Sequence, residues 1–239
     1  MSKSTLISPI GHIKSPFKQK FAIPRQPRLA TAALAIIELE DDYNHPDLVR
    51  DLEQFSHLWL IFSFHQNIQQ GWTPLVRPPR LGGNKKTGVF ATRATFRPNG
   101  LGMSAVKLEQ VIVDNNKASI QISGADLVDG TPIFDIKPYV PYSDIINEAD
   151  GGFAQEAPLT PMVVEFSAQA QTFLDSVSTP TDFKQLIEQV LAQDPRPAYK
   201  KNKADDKEYA VELYQFDVRW RVIENRTIVT NITLIDTDI

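Results

Sequence analysis

Four short clusters in this 239-residue chain combine side chains that could bind or transform a small ligand. In each, guanidinium, amide, imidazole or carboxylate groups stand in segments typical of shaped loops or strand ends. The clusters are Pro24-Arg25-Gln26-Pro27, His65-Gln66-Asn67, Arg93 with Arg97-Pro98-Asn99-Gly100-Leu101-Gly102, and Asp126-Leu127-Val128-Asp129-Gly130-Thr131-Pro132. Together they suit a ligand that carries a carboxylate, an amine and an aromatic base. Taken alone, the last cluster is equally typical of an ordinary Asp-Gly turn.

The charges of the chain are unevenly distributed. The formal net charge is −4, yet no Asp or Glu lies between Glu53 and Glu109. That window holds these basic residues: Arg77, Arg80, Lys85, Lys86, Arg93, Arg97 and Lys107. A basic zone on an otherwise acidic chain indicates an anion-binding site and not a protein that coats nucleic acid. A solvated loop that lacks acids is the alternative.

Several chemistries and locations are excluded or disfavoured by composition and spacing. The chain has no cysteine, so it has neither a disulfide framework nor a thiolate nucleophile. The histidines His12, His45, His57 and His65 lack metal-ligand spacing, and we expect no metal site. Neither a phosphate loop nor a Gly-x-Ser-x-Gly elbow is present. No signal peptide or membrane-spanning stretch is recognisable, so we expect a soluble, cytoplasmic protein that does not bind membranes.

Short strands dominate the first part of the chain and must position these clusters. The predicted strands are Leu6–Ile13, Thr31–Glu40, Leu58–Phe64, Gly88–Thr92, Ser104–Val113, Lys117–Ser123 and Ile133–Ile136. Leu58–Phe64 is apolar enough to be buried on both faces, and Asn115-Asn116 predicts a hairpin turn. Pro46–Gln54 is the one clear helix in this part. Many strands with little helix predict a mainly β fold, an antiparallel barrel or sandwich, and not a Rossmann sheet.

The pattern changes after a Gly- and Pro-containing stretch. We predict a first domain over residues 1–147, a linker at 148–161 and a small α+β domain over 162–239. In the last, Val163–Val177 is ambiguous between strand and helix, and Asp182–Gln193 is an amphipathic helix that ends before Pro195. Tyr209–Phe216, Val218–Val222 and Ile228–Ile235 are predicted strands, the last two joined as a hairpin at Asn225.

A resemblance to a known family follows from the order of these motifs. The motifs are Gly11-His12-Ile13-Lys14-Ser15-Pro16, Pro24-Arg25-Gln26, Phe55-Ser56-His57-Leu58-Trp59, Phe64-His65-Gln66, Arg77-Pro78-Pro79-Arg80, Gly88-Val89-Phe90-Ala91-Thr92-Arg93, Arg97-Pro98-Asn99, Gly102, the Asp126–Pro132 turn and Asp135-Ile136-Lys137-Pro138-Tyr139. The sequence resembles the TsaA-like family of tRNA methyltransferases over nearly the whole first domain. Asp194-Pro195-Arg196-Pro197-Ala198-Tyr199 resembles the bacterial members with a C-terminal extension. Gly100 stands where the family pattern often has proline, which we expect to loosen a loop.

The resemblance implies methyl transfer from S-adenosylmethionine to N6-threonylcarbamoyladenosine next to the anticodon of tRNA. It also implies a small β-barrel that binds this cofactor without a Rossmann fold, and a homodimer. The cofactor-binding residues it implies are Pro24, Arg25, Gln26, His65, Gln66, Arg93, Met103, Asp126, Leu127, Val128 and Asp129.

Roles for these residues follow from the charges in the reaction. The sulfonium loses its charge as the methyl group leaves, so we assign Arg25 and Arg93 to anionic groups. Asp126 or Asp129 could bind the cofactor amine or ribose, or could serve as the catalytic base for the acceptor N–H.

Contacts with tRNA are expected from a second set of residues. They are Arg77, Arg80, Arg97, Asp194, Arg196, Tyr199 and Lys200. In the C-terminal segment, Tyr199 would stack on a base and Arg196 would bind phosphate or a carboxylate. Two alternatives remain at this point: a non-catalytic barrel that binds a nucleotide or RNA, and a hydrolase with Asp126 and Asp129 as paired carboxylates.

Overall fold

The structure is a computed structural model that describes residues 5–156, 161–197, 200 and 205–235. A closed antiparallel barrel forms the first part, with strand order β1-β2-β7-β6-β3-β8. Its strands are β1 (Gly11–Lys14), β2 (Leu34–Leu39), β3 (His57–Ser63), β6 (Leu101–Asp114), β7 (Lys117–Ser123) and β8 (Pro132–Pro138). The predicted mainly β architecture, with a barrel as one of its two forms, is therefore confirmed.

Alternating apolar residues fill the barrel. Leu58, Leu60 and Phe62 of β3 are buried, whereas the residues between them are only partly covered. The prediction that this strand is buried on both faces was therefore wrong, because in a small barrel only one face of each strand turns inward. The β6–β7 turn is confirmed: Asn115 and Asn116 both have positive φ, at 47° and 62°, as a two-residue hairpin turn requires.

Three local predictions in the barrel differ from the structure. Pro46–Gln54 is not one helix but two 3-10 turns, Pro46–Val49 and Leu52–Gln54, separated by Asp51 at φ 65°. Strand pairing near Gly88 stops at β5 (Thr87–Gly88), which pairs with β4 (Leu75–Val76), and a 3-10 turn follows. Before β1, Leu6 and Ile7 lie exposed outside any strand. The left-handed Asp51 breaks the predicted helix, whereas the other two apolar runs have no neighbouring strand to pair with among the described residues.

A smaller α+β unit, here called the C-terminal unit, follows a short helix α1 (Pro141–Asp144). It comprises β9 (Val163–Phe166), α2 (Ala168–Ser176), α3 (Phe183–Ala192), β10 (Asp205–Leu213), β11 (Phe216–Ile223) and β12 (Arg226–Leu234). The four strands form one sheet in the order β10-β11-β12-β9, in which β9 is parallel to β12. The ambiguous stretch from Val163 is thus a strand followed by a helix, and the predicted apolar stripe of α3 is buried. In the described part of the chain, no helix has both the length and the apolar character needed to cross a membrane.

The core of the C-terminal unit includes residues from the start of the chain. Phe17, Ala30, Ala32 and Ala33 are buried in one cluster with side chains of α3 and of β10–β12. The barrel has its own separate cluster around Leu58, Leu60 and Ile122. The segment between β1 and β2 therefore packs on the C-terminal unit although it belongs to the barrel in sequence.

Candidate active site

One end of the barrel opens into a cavity of about 560 Å³, a size typical of small-molecule sites. The loop between β1 and β2, the end of β3, the start of β6 and the turn before β8 line it. The sequence-predicted residues that it brings together are Pro24, Arg25, Gln26, His65, Gln66, Arg93, Arg97, Met103, Asp126, Leu127 and Val128. Residues far apart in the sequence thus share one cavity.

Close packing of β3 against β6 shapes the apolar floor of the cavity. Gly102 pairs with Phe62 across the two strands. A Cβ at Gly102 would lie 2.4 Å from two ring atoms of Phe62 and 2.9 Å from the ring of Phe64, so any larger residue would displace a ring. The two rings meet edge to face, with centroids 5.3 Å apart. Glycine at this position therefore lets two aromatic rings form the cavity floor.

Asp126 is the single acidic side chain among the described residues that line the cavity. Its Oδ1 accepts a hydrogen bond of 2.6 Å from Ser104 Oγ. Burial raises the pKa of Asp126 to about 6, while the Ser104 hydrogen bond and the nearby Arg93 oppose that rise. Near neutral pH the group is therefore ionised but close to its titration point, so it can accept or hold a proton.

Two hydrogen bonds connect the loop between β1 and β2 to the opposite side of the cavity. Arg93 Nη1 donates to Gln26 Oε1 at 2.7 Å, and Lys20 Nζ donates to the Gln66 carbonyl at 2.9 Å. Arg25, on the same loop, is exposed. The mouth of the cavity therefore carries several positive groups, suited to a carboxylate or a phosphate.

His65 also lines the cavity, and its own imidazole is predominantly neutral. Burial lowers its pKa below the usual range, and the positive charge of Lys20 adds to this effect. A neutral ring can form hydrogen bonds without placing another charge in the cavity.

Asp129 lies outside the cavity lining, contrary to its assignment as a cofactor-binding or catalytic residue. Its Oδ1 accepts from the Ser15 backbone N–H at 2.8 Å, and its Oδ2 accepts from Lys18 Nζ at 2.8 Å. Both oxygens therefore hold the chain next to β1. Because only Asp126 reaches the cavity, the geometry does not support a hydrolase with these two carboxylates as a pair.

The predicted tRNA-contacting residues divide into two groups. Arg77 and Arg80 are exposed on the loop between β3 and β6, outside the cavity, and Arg80 Nη1 donates to the Glu156 carbonyl at 2.6 Å. Arg97 lines the cavity and also donates to the Thr92 carbonyl.

The other group, Asp194, Arg196, Tyr199 and Lys200, follows α3 in the sequence. The structure differs from our expectation for Arg196. Only 2% of Arg196 is exposed, and its Nε and Nη2 atoms bind Asp194 at 2.7 and 3.0 Å. In this structure Arg196 is buried and binds the carboxylate of Asp194, whereas we predicted that it binds a phosphate or a carboxylate of the tRNA. Tyr199 lies outside the described residues, and Lys200 follows the pair.

Sequence reasoning missed several residues of the cavity, notably Lys20, Ile23, Phe62, Phe64 and Ser104. Ser104 carried a usable signal: it occupies an inward position of β6, in register with Val106 and Leu108. A polar residue at a core position of a strand needs a partner, and here the partner is Asp126. No group of three or more acidic or histidine side chains in the described ranges could hold a metal ion.

Comparison with known proteins gives consistent matches over both parts of the chain. The family model of the tRNA-methyltransferase O N-terminal domain matches residues 12–145, and that of its C-terminal domain matches residues 159–235. The tRNA (adenine(37)-N6)-methyltransferase of Escherichia coli is 50% identical over 218 residues, which are 90% of this chain and 92% of that one. A Pseudomonas aeruginosa protein, provisionally named an S-adenosylmethionine-dependent methyltransferase, is 49% identical over 90% of this chain and 91% of its own length. The crystal structure of TrmO from Pseudomonas aeruginosa superposes with a TM-score of 0.78 and 39% identity, covering 97% of this chain and 99% of that chain.

Proposed function

The chain belongs to the tRNA-methyltransferase O family, and we propose that it transfers a methyl group from S-adenosylmethionine to N6 of N6-threonylcarbamoyladenosine, next to the anticodon of tRNA. The observation that carries this proposal is the cavity at the barrel end, where basic side chains, one carboxylate and apolar rings converge. The relatives' names supply the cofactor and the methylated base. These names give the methylated base as adenine 37, and the threonylcarbamoyl group on that base is what we add.

The donor set of the cavity fits S-adenosylmethionine. Arg25 and Arg93 suit its carboxylate, and Phe62, Phe64 and Leu127 offer an apolar surface for its adenine. When bound, S-adenosylmethionine supplies the methyl group as a sulfonium whose positive charge is lost in the transfer. Pro24, His65, Gln66, Met103 and Val128 complete the proposed binding surface.

Asp126 is our candidate for the base. The acceptor nitrogen must lose its proton as the new N–C bond forms, and a carboxylate with a pKa of about 6 can take that proton at neutral pH. Ser104 holds the carboxylate in place. The rest of the lowering of the activation barrier comes from the alignment of donor and acceptor, an effect worth roughly 7–11 kcal/mol in favourable cases.

The loop between β3 and β6 is the proposed contact with tRNA. Arg77, Lys85 and Lys86 are exposed on it, and so are the aromatic side chains of Trp72 and Phe90, at 61% and 78%. Basic and aromatic residues together are typical of surfaces that bind unpaired nucleotides. The target base lies in a loop, so exposing it is cheap compared with extracting it from a duplex.

A homodimer and a cytoplasmic location are further parts of the proposal. Apolar side chains near α1, namely Tyr142, Ile145 and Ile146, are 93%, 53% and 69% exposed and could be covered by a second copy. A tRNA substrate is consistent with the cytoplasm.

Labelled S-adenosylmethionine and purified protein test the proposal against its alternatives. Transfer of label to tRNA from cells that make threonylcarbamoyladenosine, and not to tRNA from cells that lack it, is the expected result. Cofactor binding without transfer would favour a non-catalytic binding module. Equal transfer to both tRNAs would contradict the threonylcarbamoyl part alone.

A further inference from the structure

The segment of residues 17–33, which we call the wall segment, connects β1 to β2 and forms one side of the cavity. Its cavity-lining residues are Lys20, Ile23, Pro24, Arg25, Gln26 and Pro27. It contains no helix and no strand. Its shape must therefore come from what it packs against.

The first half of the wall segment is attached to the C-terminal unit. The Tyr214 N–H donates to the Pro16 carbonyl at 2.8 Å, and Phe17 forms an isolated antiparallel bridge with Leu213. The ring of Phe21 stacks on Trp220 at 5.9 Å with an interplanar angle of 13°. Only 1% of Phe17 and none of Trp220 is exposed, so these contacts belong to a core.

The second half is attached through two glutamines of the C-terminal unit. Gln189 Oε1 accepts from the Ala32 N–H at 2.8 Å, and Gln189 Nε2 donates to Thr31 Oγ1 at 2.9 Å. Gln193 Nε2 donates to the Leu29 carbonyl at 3.4 Å. Gln189 therefore uses both ends of its amide on the wall segment.

Ile23 joins the two environments directly. Its side chain packs against the core cluster of the C-terminal unit and also lines the cavity. Next to it, Ala22 has φ 65°, and Arg28 has φ 67°. Left-handed backbone at such residues is strained and persists only where the surroundings hold it.

The barrel also holds the wall segment by hydrogen bonds, among them those from Lys20 Nζ to the Gln66 carbonyl and from Arg93 Nη1 to Gln26 Oε1. The Arg28 N–H donates to the Gly124 carbonyl at 2.7 Å, and the Asp129 N–H donates to the Phe17 carbonyl at 2.8 Å. A third backbone bond runs from the Gly124 N–H to the Ala33 carbonyl at 3.2 Å. The hydrophobic packing of its middle comes from the C-terminal unit.

We propose that the C-terminal unit positions the cofactor site, with Phe21, Gln189 and Trp220 as positioning residues that place Ile23–Gln26 against the cofactor. This inference rests on the proposed function, because it takes S-adenosylmethionine as the ligand. It gives the C-terminal unit a role inside the barrel's site that is separate from contact with tRNA. By thermodynamic linkage, cofactor binding must then stabilise the C-terminal unit in return.

The test uses the full-length protein with Gln189→Ala and Phe21→Ala, and Gln169→Ala as the matched control. Gln169 carries the same amide on α2, is exposed, and bonds to Asn231 inside the C-terminal unit. Calorimetry with S-adenosylmethionine, at a temperature where circular dichroism shows each variant folded, should give a Kd raised about tenfold for both test variants. The control should keep the wild-type Kd. The KM for tRNA should stay unchanged while the KM for the cofactor rises.

Two further measurements separate positioning from mere stability. Gln189→Glu keeps an acceptor for the Ala32 N–H and can accept from Thr31, so it should recover part of the lost affinity. Hydrogen exchange should show that S-adenosylmethionine protects amides of α3 in the wild-type protein and fails to do so in Gln189→Ala. If Phe21→Ala does not fold, Trp220→Phe takes its place, because no hydrogen-bond partner of Trp220 Nε1 is found in the described part of the chain.

Wild-type cofactor affinity in folded Gln189→Ala and Phe21→Ala, with no cofactor effect on exchange in α3, would overturn the inference. That result would leave the proposed function intact. A wild-type protein that binds the cofactor but does not methylate tRNA would instead contradict the proposed function, and the binding data would still decide the positioning role.

Discussion

Asp126 and Asp129 stand three positions apart in one turn, yet they do different work. Asp126 points into the cavity and bonds to Ser104, whereas Asp129 bonds to the Ser15 backbone and to Lys18. Burial without a full set of partners raises the pKa of Asp126 to about 6. A carboxylate whose charge the fold does not fully stabilise is a candidate for chemistry.

Asp126→Asn should change how stability depends on pH. The pKa of an aspartate in an unfolded chain is about 3.9, so the folded protein binds more protons between about pH 4 and 6. The free energy of unfolding therefore falls as pH rises through this window, by at most about 3 kcal/mol from this group. Partial exposure of Asp126 reduces that figure. Urea unfolding at several pH values should show a smaller fall in Asp126→Asn, and identical pH profiles would contradict the raised pKa.

Asp126 should also determine the acid limb of the pH–rate profile. If Asp126 is the base, kcat/KM for tRNA falls as pH drops through about 6, because protonated Asp126 cannot accept a proton. In Asp126→Asn this limb should disappear together with most of the activity. An unchanged rate and limb in the variant would remove Asp126 from catalysis.

Arg93→Ala should weaken binding of the cofactor or of the tRNA by roughly 1.5–3 kcal/mol, the usual cost of a lost charged hydrogen bond. Arg93 lines the cavity and holds Gln26. Lys107→Ala is the control, since Lys107 lies in the same acid-free window but outside both the cavity and the loop proposed for tRNA. Calorimetry that finds unchanged affinity for both ligands would discard this role.

At the scale of elements, the pairing of β3 with β6 creates the cavity floor. Gly102 lets the rings of Phe62 and Phe64 approach the strand, and Gly100 precedes it at φ 59°. Proline is locked near φ −65° and could not adopt the conformation of Gly100. Glycine at that position therefore defines a turn and does not merely loosen a loop.

Gly102→Ala should displace one or both rings, because the new Cβ would overlap Phe62. We expect a loss of about 1–3 kcal/mol in the free energy of unfolding, as for other overpacked cores, and a weaker affinity for S-adenosylmethionine. Denaturant unfolding and calorimetry measure the two effects. Val113→Ala, at an exposed position of the same strand, should change neither. A stable variant with normal affinity would show that the rings do not shape the site.

Sequence patterns predicted the elements whose signals are local. Alternating apolar and polar residues, with Asn115-Asn116 between them, predicted the β6–β7 hairpin. The helical spacing of apolar residues predicted α3. The Pro46–Gln54 helix failed because the spacing could not reveal the left-handed Asp51 that breaks it. The clusters of the site were found by residue type. Residue type did not predict that Asp129 lies outside the cavity, because its partner Ser15 is 114 positions away in the sequence.

At the scale of the whole molecule, an acidic chain concentrates its positive charge beside the cavity. The acid-free window supplies Arg93 and Arg97 to the cavity, and Arg77, Lys85 and Lys86 to the adjacent exposed loop. The wall segment, in turn, ties the barrel to the C-terminal unit. The cofactor site and the surface proposed for tRNA thus meet at one end of the barrel.

Binding of tRNA should depend on salt despite the net charge of −4. If about four phosphates are contacted, log affinity should fall with log salt at a slope near −3, at about 0.7 per contact for a single strand. Filter binding between low and physiological salt measures the slope. The double variant Arg77→Ala/Lys85→Ala should flatten it, and a flat slope in the wild-type protein would rule out this basic surface.

The central claim is that this chain methylates N6 of threonylcarbamoyladenosine in tRNA. The most direct measurement incubates the purified protein with modified tRNA and S-adenosylmethionine carrying a deuterated methyl group, then identifies the nucleosides by mass spectrometry. We expect the deuterated methyl on N6 of the threonylcarbamoylated adenosine next to the anticodon, and far less of it with Asp126→Asn or Arg93→Ala. Label found on another nucleoside, or none on tRNA while the cofactor is bound, would contradict the claim.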